Sequence, residues 1–134
     1  MRMIFVNLPV KNVEASKKFF AALGFSHNPQ FSDERTASIV ISDAIVVMLL
    51  EESRFKEFIP SAISDATKAK EVLLAFSCDS RKEVEELTAK AFAAGATPFM
   101  PPQDHGFMYG TSFQDLDGHV WEPMWMDPKA AAPH

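Results

Sequence analysis

Glu122 is the sharpest chemical signal in the chain. It lies in the run from His119 to Met126, where strand alternation sets Val120, Glu122, Met124 and Met126 on one face. A carboxylate inside an apolar row must find a partner, take up a proton or meet water in a pocket. Such a group serves as a general acid or base, or as a contact to a bound ligand. The plainer reading is a solvated carboxylate on an open strand. Pro123 beside it removes a ladder donor and implies a sheet edge or a bulge. Trp121 and Trp125 share the opposite face, against a helix.

Other groups with chemical potential are fewer. His105 and Tyr109 flank a Gly-containing segment, Asp104-His105-Gly106, that leads into a strand. Loops at the mouth of a sheet often carry binding residues, and histidine moves protons near neutral pH. A turn Asp-His pair and a solvated phenol explain the same residues equally well. His119 follows a hairpin glycine and reads as a turn residue, while His27 and His134 have no chemical context. Asn7 stands two residues after Phe5 and shares its face, so its amide can meet a ligand or a neighbouring backbone. Met48, Met108, Met124 and Met126, with twelve Phe, suit either an adaptable apolar pocket or a plain core. Cys78, the lone cysteine, lies on the strand face opposite Leu73 and Ala75 and is a poor nucleophile candidate.

Composition narrows the function classes. The 134 residues suit one domain, with 47% hydrophobic and 23% charged residues. A net charge of -5 argues against nucleic acid and against an anionic membrane surface, and leaves cationic and neutral ligands open. One cysteine excludes an intrachain disulfide and fits a reducing cytoplasm. The opening turns polar too early for a secretory segment, and Ala44 to Leu50, the longest apolar run, is too short to span a bilayer. Motifs for a serine nucleophile elbow, a phosphate loop, a dinucleotide site or a zinc-protease helix are absent from the sequence.

The elements that must position these groups repeat. Met3 to Val10 reads as a strand, Asn12 as an N-cap, and Val13, Ser16, Phe20 and Leu23 as a helical stripe closed by Gly24. Strands are expected at Ser26 to Phe31, Thr36 to Ser42 and Ala44 to Glu51, then a polar linker with a short helical turn over 53–69. The order then begins again. Val72 to Cys78 is a strand, Ser80 and Glu83 form a capping box, and Val84, Leu87, Ala91 and Ala94 line a helix closed by Gly95. Pro98 to Asp104 reads as loop, and Phe107 to Gln114 and His119 to Met126 as strands joined by Asp115-Leu116-Asp117-Gly118. Strand, helix and closing glycine coincide in both halves, which points to a duplicated module.

The stretch Phe5-Val6-Asn7-Leu8-Pro9-Val10-Lys11-Asn12-Val13, with Phe19-Phe20 and Leu23-Gly24-Phe25, resembles the opening of glyoxalase-like proteins. Asp115-Leu116-Asp117-Gly118-His119-Val120-Trp121-Glu122 resembles their last hairpin. Gln103 to Gly110 and Trp121 to Pro128 are similar to a bacterial subgroup labelled predicted lactoylglutathione lyases. The resemblance covers nearly the whole chain and implies the vicinal oxygen chelate superfamily of glyoxalases, bleomycin resistance proteins and extradiol dioxygenases. It implies an α+β fold of two βαβββ modules, about 1–52 and 70–128, within one domain over 1–128. These would form a half-barrel sheet with helices outside, followed by a disordered tail at 129–134.

Enzymes of that superfamily draw two metal ligands from each half, one on the first strand and one on the last. On the resemblance, these positions hold Phe5 and Leu73 on the first strands. The first half's last strand offers no carboxylate before Glu51, and Glu122 alone keeps a donor at its place. No metal and no cofactor are therefore expected. The resemblance and the residues together predict a small-molecule binder with Phe5, Asn7, Met48, Leu73, Tyr109 and Glu122 at its site. The alternative is a glyoxalase-like lyase or isomerase using Glu122 and His105 for proton transfer. A cytoplasmic homodimer is expected, with no nucleic acid or membrane as partner.

Overall fold

The computed structural model describes residues 1–130, so His134 and most of the expected tail lie outside the described residues. Pro128, Lys129 and Ala130 form a turn capped by Asp127, whose carboxylate accepts from the Lys129 N–H at 2.9 Å. The chain divides into two compact units, Met1–Asp65 and a second that begins at Ala66. Each unit holds one βαβββ module. Among the described residues, no helix is long and apolar enough to cross a membrane.

In the first unit, β1 (Ile4–Val10) leads to α1 (Val13–Ala22), β2 (Ser26–His27), β3 (Thr36–Ser42) and β4 (Ile45–Glu51). The sheet order is β1-β4-β3-β2, with β1 and β4 parallel. Asn12 caps α1 as its residue type predicts, accepting from the Ala15 N–H at 2.9 Å. Gly24 ends the helix at φ 101°, and the Phe25 N–H returns to the Phe20 carbonyl at 3.0 Å. Val13, Ser16, Phe19 and Phe20 form its buried stripe. They meet the sheet face that carries Leu8, Val10, Ala37, Ile39, Val47 and Leu49, all buried.

Two expectations here need adjustment. The strand placed at Ser26 to Phe31 stops at His27, because Asn28 caps a 3-10 turn over Pro29–Phe31 through the Gln30 N–H. The linker opens with α2 (Glu52–Phe55) and a 3-10 turn over Lys56–Phe58. Glu57 holds this segment, meeting Arg35 and Arg54 at 2.6 Å each.

The second unit runs β5 (Leu73–Ser77), α3 (Arg81–Ala93), β6 (Thr97–Pro98), β7 (Gln103–Asp104), β8 (Met108–Gly110), β9 (Phe113–Gln114) and β10 (Val120–Met126). Here β5 runs parallel to β10, which also pairs antiparallel with β8 and β9; β7 and β6 lie beyond these. The order is that of the first unit, with two strands each broken in two. The expected loop from Pro98 to Asp104 thus contains two short strand pieces. Pro123 lies on an interior strand rather than an edge, at the level where β8 gives way to β9, and its carbonyl accepts from Thr111 at 3.1 Å.

The capping box at α3 forms one residue wider than the pattern predicts. Ser80 accepts from the Glu83 N–H at 3.0 Å, while the Glu83 carboxylate reaches the Asp79 N–H, also at 3.0 Å. Gly95 (φ 112°) repeats the role of Gly24, with Ala96 N–H to Ala91 O at 2.9 Å. The sheets remain separate, and neither closes into a barrel among the described residues.

Gly118 makes the tightest turn. Its φ is +86°, and an added Cβ would meet Ala66 and Thr67 backbone atoms at 3.0 Å. Gly24 also has a positive φ but open space around it. Gly118→Ala should therefore cost about 2 to 3 kcal/mol, and Gly24→Ala about 1 kcal/mol, in denaturant melts. Equal losses would mean that the contact with Ala66 contributes nothing.

Candidate functional site

The register of β4 and β10 decides which side chains share a face. In the first unit Phe5 pairs with Val46, Asn7 with Met48 and Pro9 with Leu50. In the second unit Leu73 pairs with Val120, Ala75 with Glu122 and Ser77 with Met124. The two sets correspond place by place: Phe5 to Leu73, Asn7 to Ala75, Met48 to Glu122. All lie on the sheet face turned away from the helix. Phe5 and Leu73 stay more than half exposed, at 56% and 53%.

Met48, not Glu51, is thus the counterpart of Glu122. Glu51 pairs with Val10 and falls on the helix side of its sheet, where its carboxylate accepts from Ser53 Oγ at 2.9 Å. The first unit's open face carries no charge over Phe5, Asn7, Val46 and Met48. Asn7 donates only a long 3.5 Å contact to the Phe5 carbonyl, leaving its amide exposed.

In the second unit Glu122 is half-buried between Val120 and Met124. Gly110 and Met108, opposite Met124 and Met126, extend the same face. Among the described residues the Glu122 carboxylate has no hydrogen-bond or ion-pair partner. Glu122 and Leu73 are thereby brought together on one apolar face of this unit.

Tyr109 is not. It pairs with Trp125 and so lies on the helix side, its hydroxyl 3.3 Å from Glu85 Oε1. Burial, then the Glu85 charge, pushes its phenol pKa up. His105 sits exposed at the tip between β7 and β8, its ring 6.4 Å from that of Phe107. Glu122 lies four residues along β10 from Met126, the partner of Met108. That is about 13 Å along the strand, with two further strand spacings across to β7. The two side chains do not reach one another's hydrogen-bonding range.

Arg81, which sequence reasoning missed, organises this end. Its guanidinium holds both Asp104 carboxylate oxygens at 2.9 and 2.8 Å and the Gly106 carbonyl at 3.0 Å. It also lies over the Tyr109 and Trp125 rings, at 5.1 and 5.2 Å. An arginine just after a helix cap gives no sequence signal of so distant a partner. Lys70 was missed likewise: its ammonium donates to Ala66, to Gln114 Oε1 at 2.7 Å and to the Gly118 carbonyl at 2.6 Å.

Buried groups at the last turn are structural. Asp115 accepts from the N–H groups of Asp117 (2.9 Å) and His119 (3.0 Å) and from Trp121 Nε1 (2.9 Å). Burial pushes its pKa up despite nearby His119. His119 is itself buried in that turn, as its place after Gly118 predicts. Cys78 is buried too, and burial, with Glu83 beside it, pushes its thiol up to about 12. That is far from the activated range.

With these faces defined, relatives can be judged. Residues 2–122 match the family described as Glyoxalase/Bleomycin resistance protein/Dioxygenase superfamily. The chain belongs to this superfamily. The match runs through both units. Among solved structures, the hypothetical protein SA1046 from S. aureus is 30% identical, with TM-score 0.78 over 93% of this chain and 94% of that one. A glyoxalase/bleomycin resistance protein/dioxygenase family enzyme from Burkholderia phytofirmans is 17% identical, with TM-score 0.76 over 94% and 99%. The fosfomycin resistance protein FosX from Listeria monocytogenes shares the fold at 17% identity and TM-score 0.69, covering 98% of each chain. No curated protein matches the sequence.

Superfamily membership raises the question of a divalent metal. The register-equivalent positions carry Phe5 and Met48 in one unit and Leu73 and Glu122 in the other. Two hydrocarbons and a thioether offer nothing to a hard or borderline ion, so this donor set does not fit one.

The Arg81 clamp gives a pH test. Arg81, followed by the Gly106 N–H, holds the Asp104 carboxyl well below the usual carboxylate range. A depressed folded value means that the added stability is present above the unfolded pKa, about 3.9. It is lost as pH falls towards the folded value. Wild type should melt above Asp104→Asn at pH 7, and the gap should shrink below about pH 4. A gap that stays constant down to pH 2 would contradict the pairing.

Proposed function

We propose that this superfamily member binds a small molecule against the apolar open faces of its sheets, without the metal that the superfamily's enzymes use. The observation that carries this reading is the donor set at register-equivalent places: Phe5 and Met48 in the first unit, Leu73 and a single carboxylate, Glu122, in the second. Without three of four donors, an ion has no chelate to hold it. What remains is a largely apolar surface with one charged anchor, the usual character of a small-molecule site. Phe5, Asn7 and Met48 line the first unit's face, and Leu73 and Glu122 the second unit's face. Tyr109, on the helix side, leaves the site and serves the Arg81 clamp instead.

The proton-transfer alternative has less support. A lyase using Glu122 and His105 needs both groups on one substrate atom. The hairpin tip lies strands away from Glu122. The enolate formed by proton abstraction also needs a strong electrophilic partner, and the Glu122 face supplies none. The reading assigns the protein to the cytoplasm, where its single thiol stays reduced.

Dialysed protein should retain no stoichiometric Zn, Ni, Mn or Fe by elemental analysis, and mass spectrometry should detect a co-purified organic molecule. One retained metal equivalent that disappears in Glu122→Ala would contradict the binder reading. So would hemithioacetal turnover by metal-free protein that falls by orders of magnitude in Glu122→Gln.

Assembly follows from edges. β1 and β5 each pair on one side only, and Ile4, Phe5, Val72 and Leu73 on or beside them are exposed. Apolar edge strands need cover, so we expect a homodimer. Light scattering at micromolar concentration should return twice the chain mass; a monomer would refute the expectation.

A further inference from the structure

Glu122 narrows the ligand further. We infer, building on the binding role proposed above, that the ligand is a monocation, a protonated amine or amidine attached to an apolar or aromatic body. The reasoning starts from the energetics of a half-buried carboxylate. Val120, Met124, Leu73 and Ala75 flank Glu122 across the β5–β10 pair, and none donates from its side chain, while Ser112 on the opposite side gives its hydroxyl to the Met100 carbonyl at 3.2 Å. A partly desolvated carboxylate without a counter-charge is disfavoured, and its attraction for a cation grows as water is excluded.

The chain's own cations near this strand are committed elsewhere. Arg81 stacks on Trp125 from the helix side and is saturated by Asp104 and the Gly106 carbonyl. Lys70 is held by the Ala66 and Gly118 carbonyls and by Gln114. The acids around them are also accounted for: Asp115 by three donors, Glu85 by Tyr109, Glu83 by the Asp79 N–H. Among the described residues Glu122 keeps no counter-charge on this unit's open face, so the balancing charge comes with the ligand.

The rest of the face describes the ligand's body. Met108, Met124 and Met126 supply polarisable thioethers, which pack well against aromatic rings and irregular hydrocarbons. Gly110, opposite Met124, leaves a notch with no side chain on the diagonal from Glu122. From Leu73 to Ser77 the face runs about 13 Å, and across β5, β10 and β8 about 10 Å. A single ring with a short alkylamine fits that span. An anion would meet Glu122 in repulsion, and a neutral molecule would leave it unpaired.

The test uses three probes with one body and different charge: 4-phenylbutylamine, 4-phenylbutanol and 4-phenylbutyrate. Titration calorimetry on the full chain at pH 7 should rank the amine tightest, the alcohol weaker and the acid weakest. Glu122→Gln keeps the side chain's shape and removes its charge. It should weaken the amine about tenfold or more, the worth of a hydrogen bond to a charged group, and leave the alcohol unchanged. Unaltered circular dichroism and melting would show that the variant folds.

Equal affinity for amine and alcohol would overturn the cation inference while leaving the binding role intact. Loss of amine and alcohol affinity alike in a folded Glu122→Gln would also overturn it. No binding of any probe at millimolar concentration would overturn both.

Discussion

The parallel pairing of each module's first strand with its last is the constraint on which the rest depends. It puts β4 and β10 inside their sheets, with a neighbour on each side. Once the helix has claimed Val47 and Leu49 on β4, and Trp121 and Pro123 on β10, alternation leaves no freedom for the residues between them. Met48 and Glu122 must face the other way. The same parity sends Glu51 and Tyr109 to the helix side, although both sit close to the site in sequence. A one-residue slip would exchange the faces and bury Glu122 against α3, which the apolar packing there forbids.

Much of this was legible in the sequence because it is local. Caps at Asn12 and Ser80, closing glycines at 24 and 95, and the turn at Gly118 are each written within a few residues. The faces of Asn7 and Glu122, and the burial of Cys78, follow from alternation along a single strand. Tyr109 shows where that reasoning ends. Its parity relative to Glu122 depends on which residue of β10 it pairs with, and only the Trp125 register supplies that. The same holds for Glu51 against Met48. The short strands β6 and β7 read as loop because of Pro98, Pro101 and Pro102, and the break between β8 and β9 is hidden because Thr111 and Ser112 continue the strand pattern of Phe107 to Gln114. Arg81 with Asp104 and Lys70 with Gly118 join residues more than twenty positions apart, and no local pattern encodes such pairs.

These long-range contacts also explain why the site is electrostatically simple. Arg81 ties the β7–β8 hairpin to the start of α3, and Asp115 ties the last turn to Trp121. Lys70 closes the approach to that turn. Charges that would otherwise crowd the open sheet are drawn to its rim or its helix side. The superfamily's scaffold is retained, while Phe5, Met48 and Leu73, the register counterparts of Glu122 and its strand neighbour, are apolar. On the proposed reading the fold is kept and the chemistry changed, as happens where one architecture serves many functions.

The location of the ligand is tested most directly by methyl NMR of the full chain labelled at its methionines, titrated with 4-phenylbutylamine. Met108, Met124 and Met126 lie on the face around Glu122, whereas Met1 precedes β1 in the other unit and is 91% exposed. The expected result is a saturable shift of the Met124 and Met108 methyl resonances that disappears in Glu122→Gln, with Met1 unmoved. Shifts confined to the N-terminal methionines Met1 and Met3 would contradict binding at this face.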